Sequence, residues 1–247
     1  MINNPRDMIV KIGITPSEAP FRITCLRTFL YISAIAENNA FKGGSSKVIF
    51  QIDDTNTAKR KHSNEEIIEF YNMIGILPFN HSKVEITCQT DIKDECEKYF
   101  KILDKKGFII YNEDGTCAFN IKQYMQAYGS TIKVRDLISG NINFEAKKLT
   151  DNERVIIRRA DGSFLYNFSS AIDTIYWNFT TLIRGNNKMS SAAFQNMFIK
   201  SLDRETPDYF HLPLLLEEKK LNEFNINARS NIKNLFANGF SYMPVLN

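Results

Sequence analysis

Residues 155–195 restrict the possible folds more than any other part of the sequence. The segment VIIRRADGSFLYNF opens with an apolar β-type run and reaches Asp161-Gly162, a dipeptide that readily takes positive φ. An amphipathic stretch over residues 169–177 follows, then a second apolar strand, TTLIRG, then a helix-like segment over residues 188–202. Strand, helix, strand, helix at this spacing predicts a crossover unit over a parallel sheet, an α/β layout. Arg184 then falls at the carboxyl end of a strand, where open α/β sheets place their ligands.

The first fifty residues fit the same layout. Residues 8–14 read as a short apolar strand interrupted by Lys11, and the prolines of Thr15-Pro16-Ser17-Glu18-Ala19-Pro20 stop it. Residues 21–36 carry Ile23, Leu26, Leu30 and Ala34 at helical spacing. A strand, a turn and a helix start form the nucleotide-binding entrance of a Rossmann-like fold, because the free N–H groups of a helix N-terminus face phosphate. A second strand over residues 48–52 ends in Asp53 and Asp54, and SNEE at residues 63–66 has the form of a capping box opening a helix.

A chain of 247 residues with 43% hydrophobic and 24% charged residues suffices for one large domain, or one carrying an inserted subdomain. The net charge of +3 supplies no electrostatic footprint for nucleic acid. No apolar run approaches the roughly 20 residues of a membrane span, and MINNPRDMIVKIG lacks a signal-peptide layout. Cys25, Cys88, Cys96 and Cys117 are irregularly spaced without a CxxC pair, so reduced thiols in a cytoplasmic protein are expected rather than zinc or disulfides.

Several ordered blocks resemble a family. VIIRRADGSFLYNFSSAID, TTLIRGNNKMSSAAFQ and PDYFHLPLLL follow one another as corresponding blocks do in the catalytic domain of glutamyl- and glutaminyl-tRNA synthetases, and the likeness extends over nearly the whole chain. The resemblance implies a class I, HUP-type Rossmann-like parallel sheet with an inserted α+β acceptor-binding subdomain. Residues 1–85 would form the first half of the catalytic domain, 86–153 the insertion and 154–247 the second half. NARSNIKNLFANGFSYMPVLN stands where the family continues into helical and anticodon-binding domains, so no anticodon-reading domain is expected there.

The resemblance also implies a site. The positions that meet the amino acid map to Lys11, Thr15, Asp53, Tyr166, Ser170 and Arg184, a set able to pair the carboxylates and ammonium of glutamate or a related acid. Those that meet ATP map to Pro16, Ser17, Thr24 and Arg27. Arg22 replaces the histidine of the HIGH motif and Thr24 its glycine. Lys220-Leu221-Asn222-Glu223-Phe224 occupies the place of KMSKS, leaving Arg22 and Lys220 as the candidate catalytic cations. Glu223 replaces the lysine that stabilises charge on ATP, and losing one such donor costs roughly 2.7–4 kcal/mol of barrier. Lys188-Met189-Ser190-Ser191 mimics KMSKS by letters, but precedes HLPLL and reads as a helix start capped by serine.

Three functions stay open. One is an enzyme that uses ATP, with Mg, to activate an acidic amino acid for transfer to the tRNA acceptor end or another acceptor. A second is an inactive pseudo-synthetase that binds an amino acid or a protein. The third is an enzyme that uses a preformed adenylate or a different nucleotide. Lys133, Arg135, Lys147 and Lys148 are candidate phosphate contacts or a solvated charged face. Where many bacterial members of that family carry a zinc knuckle, this chain has Phe108-Ile109-Ile110-Tyr111 with only Cys117 nearby, so the resemblance implies no zinc.

Overall fold

A computed structural model describes residues 7–16, 22–54, 60–73 and 83–213. Ser17, Lys219, Lys220 and Asn222-Glu223-Phe224 lie outside them. The chain forms two compact units, one of residues up to Thr90 together with those from Leu212 onward, the other of Asp91–His211.

In the first unit, β1 (Met8–Ile14), β2 (Ser46–Ile52) and β3 (Lys83–Cys88) run parallel in the order β3-β2-β1. Strand β2 lies between the other two and is buried at six of its seven positions, as expected of a parallel strand covered on both faces. Helix α1 (Ile23–Phe41) makes the crossover from β1 to β2 and packs on both. Gly43 closes it at φ 90°, a conformation that side chains resist, and donates its N–H to Ala40 O. Asn39 Nδ2 then donates to Ser45 O and Ser46 Oγ, and Ser46 Oγ donates to Ala36 O, which ties the helix end to the start of β2.

Helix α2 (Asn64–Met73) follows β2, and the Ser63 hydroxyl accepts from Glu66 N at 3.1 Å, the expected cap. The core of this unit is aromatic. Phe29 of α1 stacks on Tyr71 of α2 with centroids 4.3 Å apart, and both contact Phe50 of β2.

The second unit opens with α3 (Lys93–Lys105), then β4 (Ile109–Tyr111), β5 (Cys117–Asn120) and α4 (Ile121–Tyr128). A hairpin of β6 (Thr131–Asp136) and β7 (Gly140–Glu145) leads to β8 (Arg154–Arg158), α5 (Tyr166–Tyr176), β9 (Thr181–Gly185), α6 (Met189–Ser201) and β10 (Asp208–Leu212). The order β9-β10-β6-β7 gathers these strands in one sheet, with β10 parallel to β6. Strands β4, β5 and β8 form a separate antiparallel sheet.

This division corrects one expectation. Strands β8 and β9, on either side of α5, belong to different sheets, so β8-α5-β9 is not a crossover within one sheet. Strand β8 pairs with β5 and exposes Arg154 and Ile156, the one-sided burial of an antiparallel strand, and an apolar run alone does not distinguish the two cases. Strands β9 and β10, on either side of α6, are the ones that lie next to each other in one sheet.

Helix α5 is buried continuously from Phe168 to Thr174 and packs on α3 and α6. Phe198 of α6 meets Phe119 of β5 at 5.0 Å and Phe168 of α5 at 5.9 Å. The start of α6 corrects a second expectation: Lys188 is the N-cap, without a side-chain cap, and Ser190 and Ser191 lie within the first turn. The Asp161-Gly162 turn forms as expected, with Gly162 at φ 84° and Ser163 N donating to Asp161 Oδ1.

Truncating Phe29 to Ala removes the ring between Phe50 and Tyr71 and should cost about 3–5 kcal/mol of unfolding free energy. Phe41→Ala, at a position 81% exposed, should change it by less than about 0.5 kcal/mol. Urea unfolding of both variants measures the difference.

Candidate functional site

Two polar clusters stand out, one in each unit. In the first, the parallel register sets Gly13 of β1 opposite Gln51 of β2, and Asp53 follows directly with its N–H donated to Ile14 O at 2.7 Å. Lys11 Nζ donates to Asp53 Oδ1 at 2.9 Å, with the side chains only 10% and 13% exposed. Gly13 makes room for this pair, since a Cβ there would stand 3.0 Å from both Asp53 Oδ2 and Lys11 Cε. Asp54 turns elsewhere, accepting from Thr90 N and Thr90 Oγ1, both at 3.0 Å. The structure thus brings Lys11 and Asp53 together as an ion pair at the carboxyl end of the first unit's sheet.

The same unit holds the candidates for phosphate contact. Thr15 is exposed, whereas Pro16 is buried and its carbonyl accepts from Lys61 N and His62 N. Arg22 is the N-cap of α1 in extended conformation, and the first turn of that helix holds no acidic residue. Thr24 lies in that turn and its carbonyl accepts from Thr28 Oγ1. Arg27, further along α1, donates Nη2 to Pro213 O at 2.6 Å, while its buried Nε has no acceptor among the described residues.

The second cluster centres on Arg184, next to last in β9. Its Nε donates to His211 Nε2 at 3.3 Å, its Nη1 donates to Gln195 Oε1 at 3.0 Å, and its guanidinium carbon lies 5.1 Å from the ring centroid of Tyr209. Two buried donors here, Arg184 Nη2 and Gln195 Nε2, have no acceptor among the described residues. His211 in turn presents Nδ1 to Asp136 Oδ2 at 2.8 Å, at the junction of β10 with the end of β6.

Asp136 also accepts from His211 N, Ile138 N and Ser139 N. Burial pushes its carboxyl upward, but these donors prevail and hold it below the ordinary value. His211 is shifted down, first by burial and also by the positive charge of Arg184, despite the opposing pull of Asp136. Neutral imidazole with its proton on Nδ1 satisfies both neighbours, because Nε2 is then free to accept from Arg184.

Tyr166 opens α5 and is partly exposed, with Lys188 Nζ 5.0 Å from its ring centroid. Ser170 lies one turn further, buried, and its carbonyl accepts from Thr174 Oγ1. Tyr166 and Arg184 both act electrostatically on Tyr209, so they flank the same buried phenol, whose titration burial pushes far upward. His211, Gln195, Tyr209 and Asp136 were not among the sequence candidates. The available signal was that Gln195 and the Pro207-Asp208-Tyr209-Phe210-His211 run belong to the same ordered blocks as Arg184. Among the described residues no group of three or more His, Cys, Asp and Glu is placed to hold a metal, and no helix is long and apolar enough to cross a membrane.

Comparison with known proteins gives this geometry a context. Residues 110–247 match the family described as tRNA synthetases class I (E and Q), catalytic domain. Glutamate–tRNA ligase 2 of Campylobacter jejuni subsp. doylei is 27% identical over 253 residues, covering 89% of this chain and 56% of the relative. Glutamate–tRNA ligase 1 of Zymomonas mobilis is 43% identical over 84 residues, covering 34% of this chain and 18% of the relative. A crystal structure of a glutamate tRNA ligase from Elizabethkingia meningosepticum, in complex with its amino acid, aligns over 95% of this chain and 53% of that one with TM-score 0.68 and 20% identity. Glutamate–tRNA synthetase from Elizabethkingia anophelis aligns with TM-score 0.67 at 18% identity, covering 95% of this chain and 54% of that one. The chain thus spans about half the length of these longer relatives.

The buried His211–Asp136 pair predicts acid sensitivity. In the unfolded chain the imidazole takes up a proton near its ordinary 6.5, whereas the folded protein resists protonation to lower pH. The unfolded state therefore binds more protons in that window, and stability falls as pH drops below about 6.5. Asp136 adds a second loss below its ordinary 3.8, as pH falls through its depressed folded value. Urea unfolding from about pH 7.5 down to about pH 5 should show the first decline in wild type and a flatter profile in His211→Gln.

Proposed function

We propose a function from one premise: this chain belongs to the family of class I tRNA synthetase catalytic domains for glutamate and glutamine (E and Q). It binds glutamate or a closely related acidic amino acid. The observation that carries this reading is the pair of buried, unmatched donors, Arg184 Nη2 and Gln195 Nε2, held by a network that fixes both side chains. Unmatched buried donors are costly, and an ionised carboxylate is the acceptor that best relieves them. Tyr166 and Ser170 belong to the same pocket. In the first unit, taken by itself, Asp53 is the candidate contact for an ammonium group, and Lys11 and Thr15 are candidate contacts for a carboxylate.

ATP is the second substrate, accompanied by Mg. The uncapped first turn of α1, free of acidic residues, with Arg22 at the N-cap and the unmatched Nε of Arg27, suits phosphate. Pro16, Ser17 and Thr24 border that region. In the reaction, a carboxylate oxygen of the amino acid attacks the α-phosphorus, the bond to the β-phosphate oxygen breaks, and pyrophosphate leaves. The aminoacyl-adenylate then passes its acyl group to a tRNA acceptor end or to another acceptor. Arg22 and Lys220 are the cations available to the phosphates. In this reading residues 1–85 and 154–247 form the catalytic domain and residues 86–153 an insertion that meets the acceptor, in the cytoplasm.

A second reading rests on Glu223, a carboxylate where the family places a phosphate-binding lysine. Its repulsion of the phosphates favours an amino-acid-binding module without activation.

Calorimetry of the purified chain with glutamate should show binding, and Arg184→Lys should weaken it by about tenfold or more, since an ammonium lacks the planar fork. Absence of binding by wild type would remove the acidic-amino-acid reading. ATP–pyrophosphate exchange then separates the enzyme, which exchanges with glutamate, from the binding module, which does not.

A further inference from the structure

We infer that His211, backed by Asp136, is a positioning residue that holds Arg184 by its Nε edge and thereby presents Nη2 to the ligand carboxylate. This rests on the reading of Arg184 as the carboxylate contact. A guanidinium offers five N–H donors in one plane, and its usefulness to a carboxylate depends on which edge is left free. Here the Nε edge goes to His211 and one Nη1 donor goes to Gln195, while the Tyr209 ring packs against the guanidinium. Nη2 is the buried end that these contacts leave unmatched.

The hold on Nε exists only while His211 Nε2 is an acceptor. Asp136 enforces that state by accepting a hydrogen bond from Nδ1–H, and the carboxylate is itself fixed by three backbone N–H groups. The imidazole plane is fixed as well, because it stacks on Tyr209 with centroids 5.4 Å apart and 14° between the planes. Tyr209 is anchored at its far end, where its hydroxyl donates to Asn196 Oδ1 and Asn196 Nδ2 donates to Lys133 O. The charged and titratable groups facing the imidazole are Asp136 from β6, Arg184 from β9 and Tyr209 from β10, with the backbone of Lys188 as a further partner. A second proton on His211 would set an N–H at Nε2 against the Nε–H of Arg184 and release the guanidinium edge.

Two substitutions separate positioning from simple packing. Asn at 211 carries an amide near the Nδ1 position and can still donate to Asp136, but has nothing at the Nε2 position. Gln places an acceptor near Nε2. Glutamate affinity by calorimetry should fall by about tenfold or more in His211→Asn and return to within about threefold of wild type in His211→Gln. Equal losses in the two variants, tracking their unfolding free energies, would overturn the inference in favour of a structural role.

Nitrogen-15 NMR of the ligand-free wild type supplies a readout that does not depend on glutamate. His211 should be neutral with its proton on Nδ1, and the Arg184 Nε–H signal should shift when the imidazole protonates. A proton on Nε2 at neutral pH, or an Arg184 signal indifferent to that titration, overturns the positioning role. Failure of wild type to bind glutamate, with the expected spectrum present, would instead remove the reading of the ligand.

Discussion

An ionised carboxylate excluded from water organises the second unit. Asp136 is 2% exposed, and a charge so placed is tolerated only when nearby N–H groups replace the lost hydration. Four do so: the backbone N–H groups of Ile138, Ser139 and His211, and the imidazole of His211. Satisfying this one group closes the turn after β6, joins the end of β6 to β10, and selects the tautomer of the histidine. The tautomer then fixes which edge of Arg184 is occupied. A local electrostatic requirement is thus converted, through two side chains, into the orientation of a guanidinium on a third strand.

The first unit solves a smaller version of the same problem. Lys11 lies in a strand that otherwise alternates apolar residues, and a buried ammonium needs a counter-charge. Asp53 supplies it from the end of the neighbouring strand, and the absence of a side chain at Gly13 lets the two meet. Lys11 lies in the middle of β1, whereas Asp53, Asp136, Arg184 and His211 lie at or just beyond strand ends, and each is held by a partner. The start of α1 is built differently, with Arg22 at its N-cap making no side-chain cap and with Arg27 one turn further on.

Much of the local structure was legible in the sequence because it depends on short-range rules. The β1 strand, the Ser63 cap, the Asp161-Gly162 turn and the position of Arg184 at a strand end all follow from periodicity and from the conformational preferences of single residues. Two features were misjudged where the same pattern serves two environments. The apolar run of β8 suits a parallel core strand and an antiparallel strand equally, and its partner β5, distant in sequence, decided the matter. Ser190 and Ser191 suit a cap by composition, yet α6 begins at Met189 with Lys188 at the cap, two residues ahead of Ser190.

By itself the sequence determined the α/β class, the family resemblance and the chemical character of the candidate site, because residue type, order and spacing are all that these require. Only the tertiary structure decided which of those groups engage one another. Lys11 pairs with Asp53 through a parallel register, and Arg184 is gripped by His211 and Gln195, whose roles no local sequence pattern marks. The physical reason is that hydrogen bonds and ion pairs act over a few ångströms. Whether residues 27 or 75 positions apart along the chain come within that range is set by how strands and helices pack.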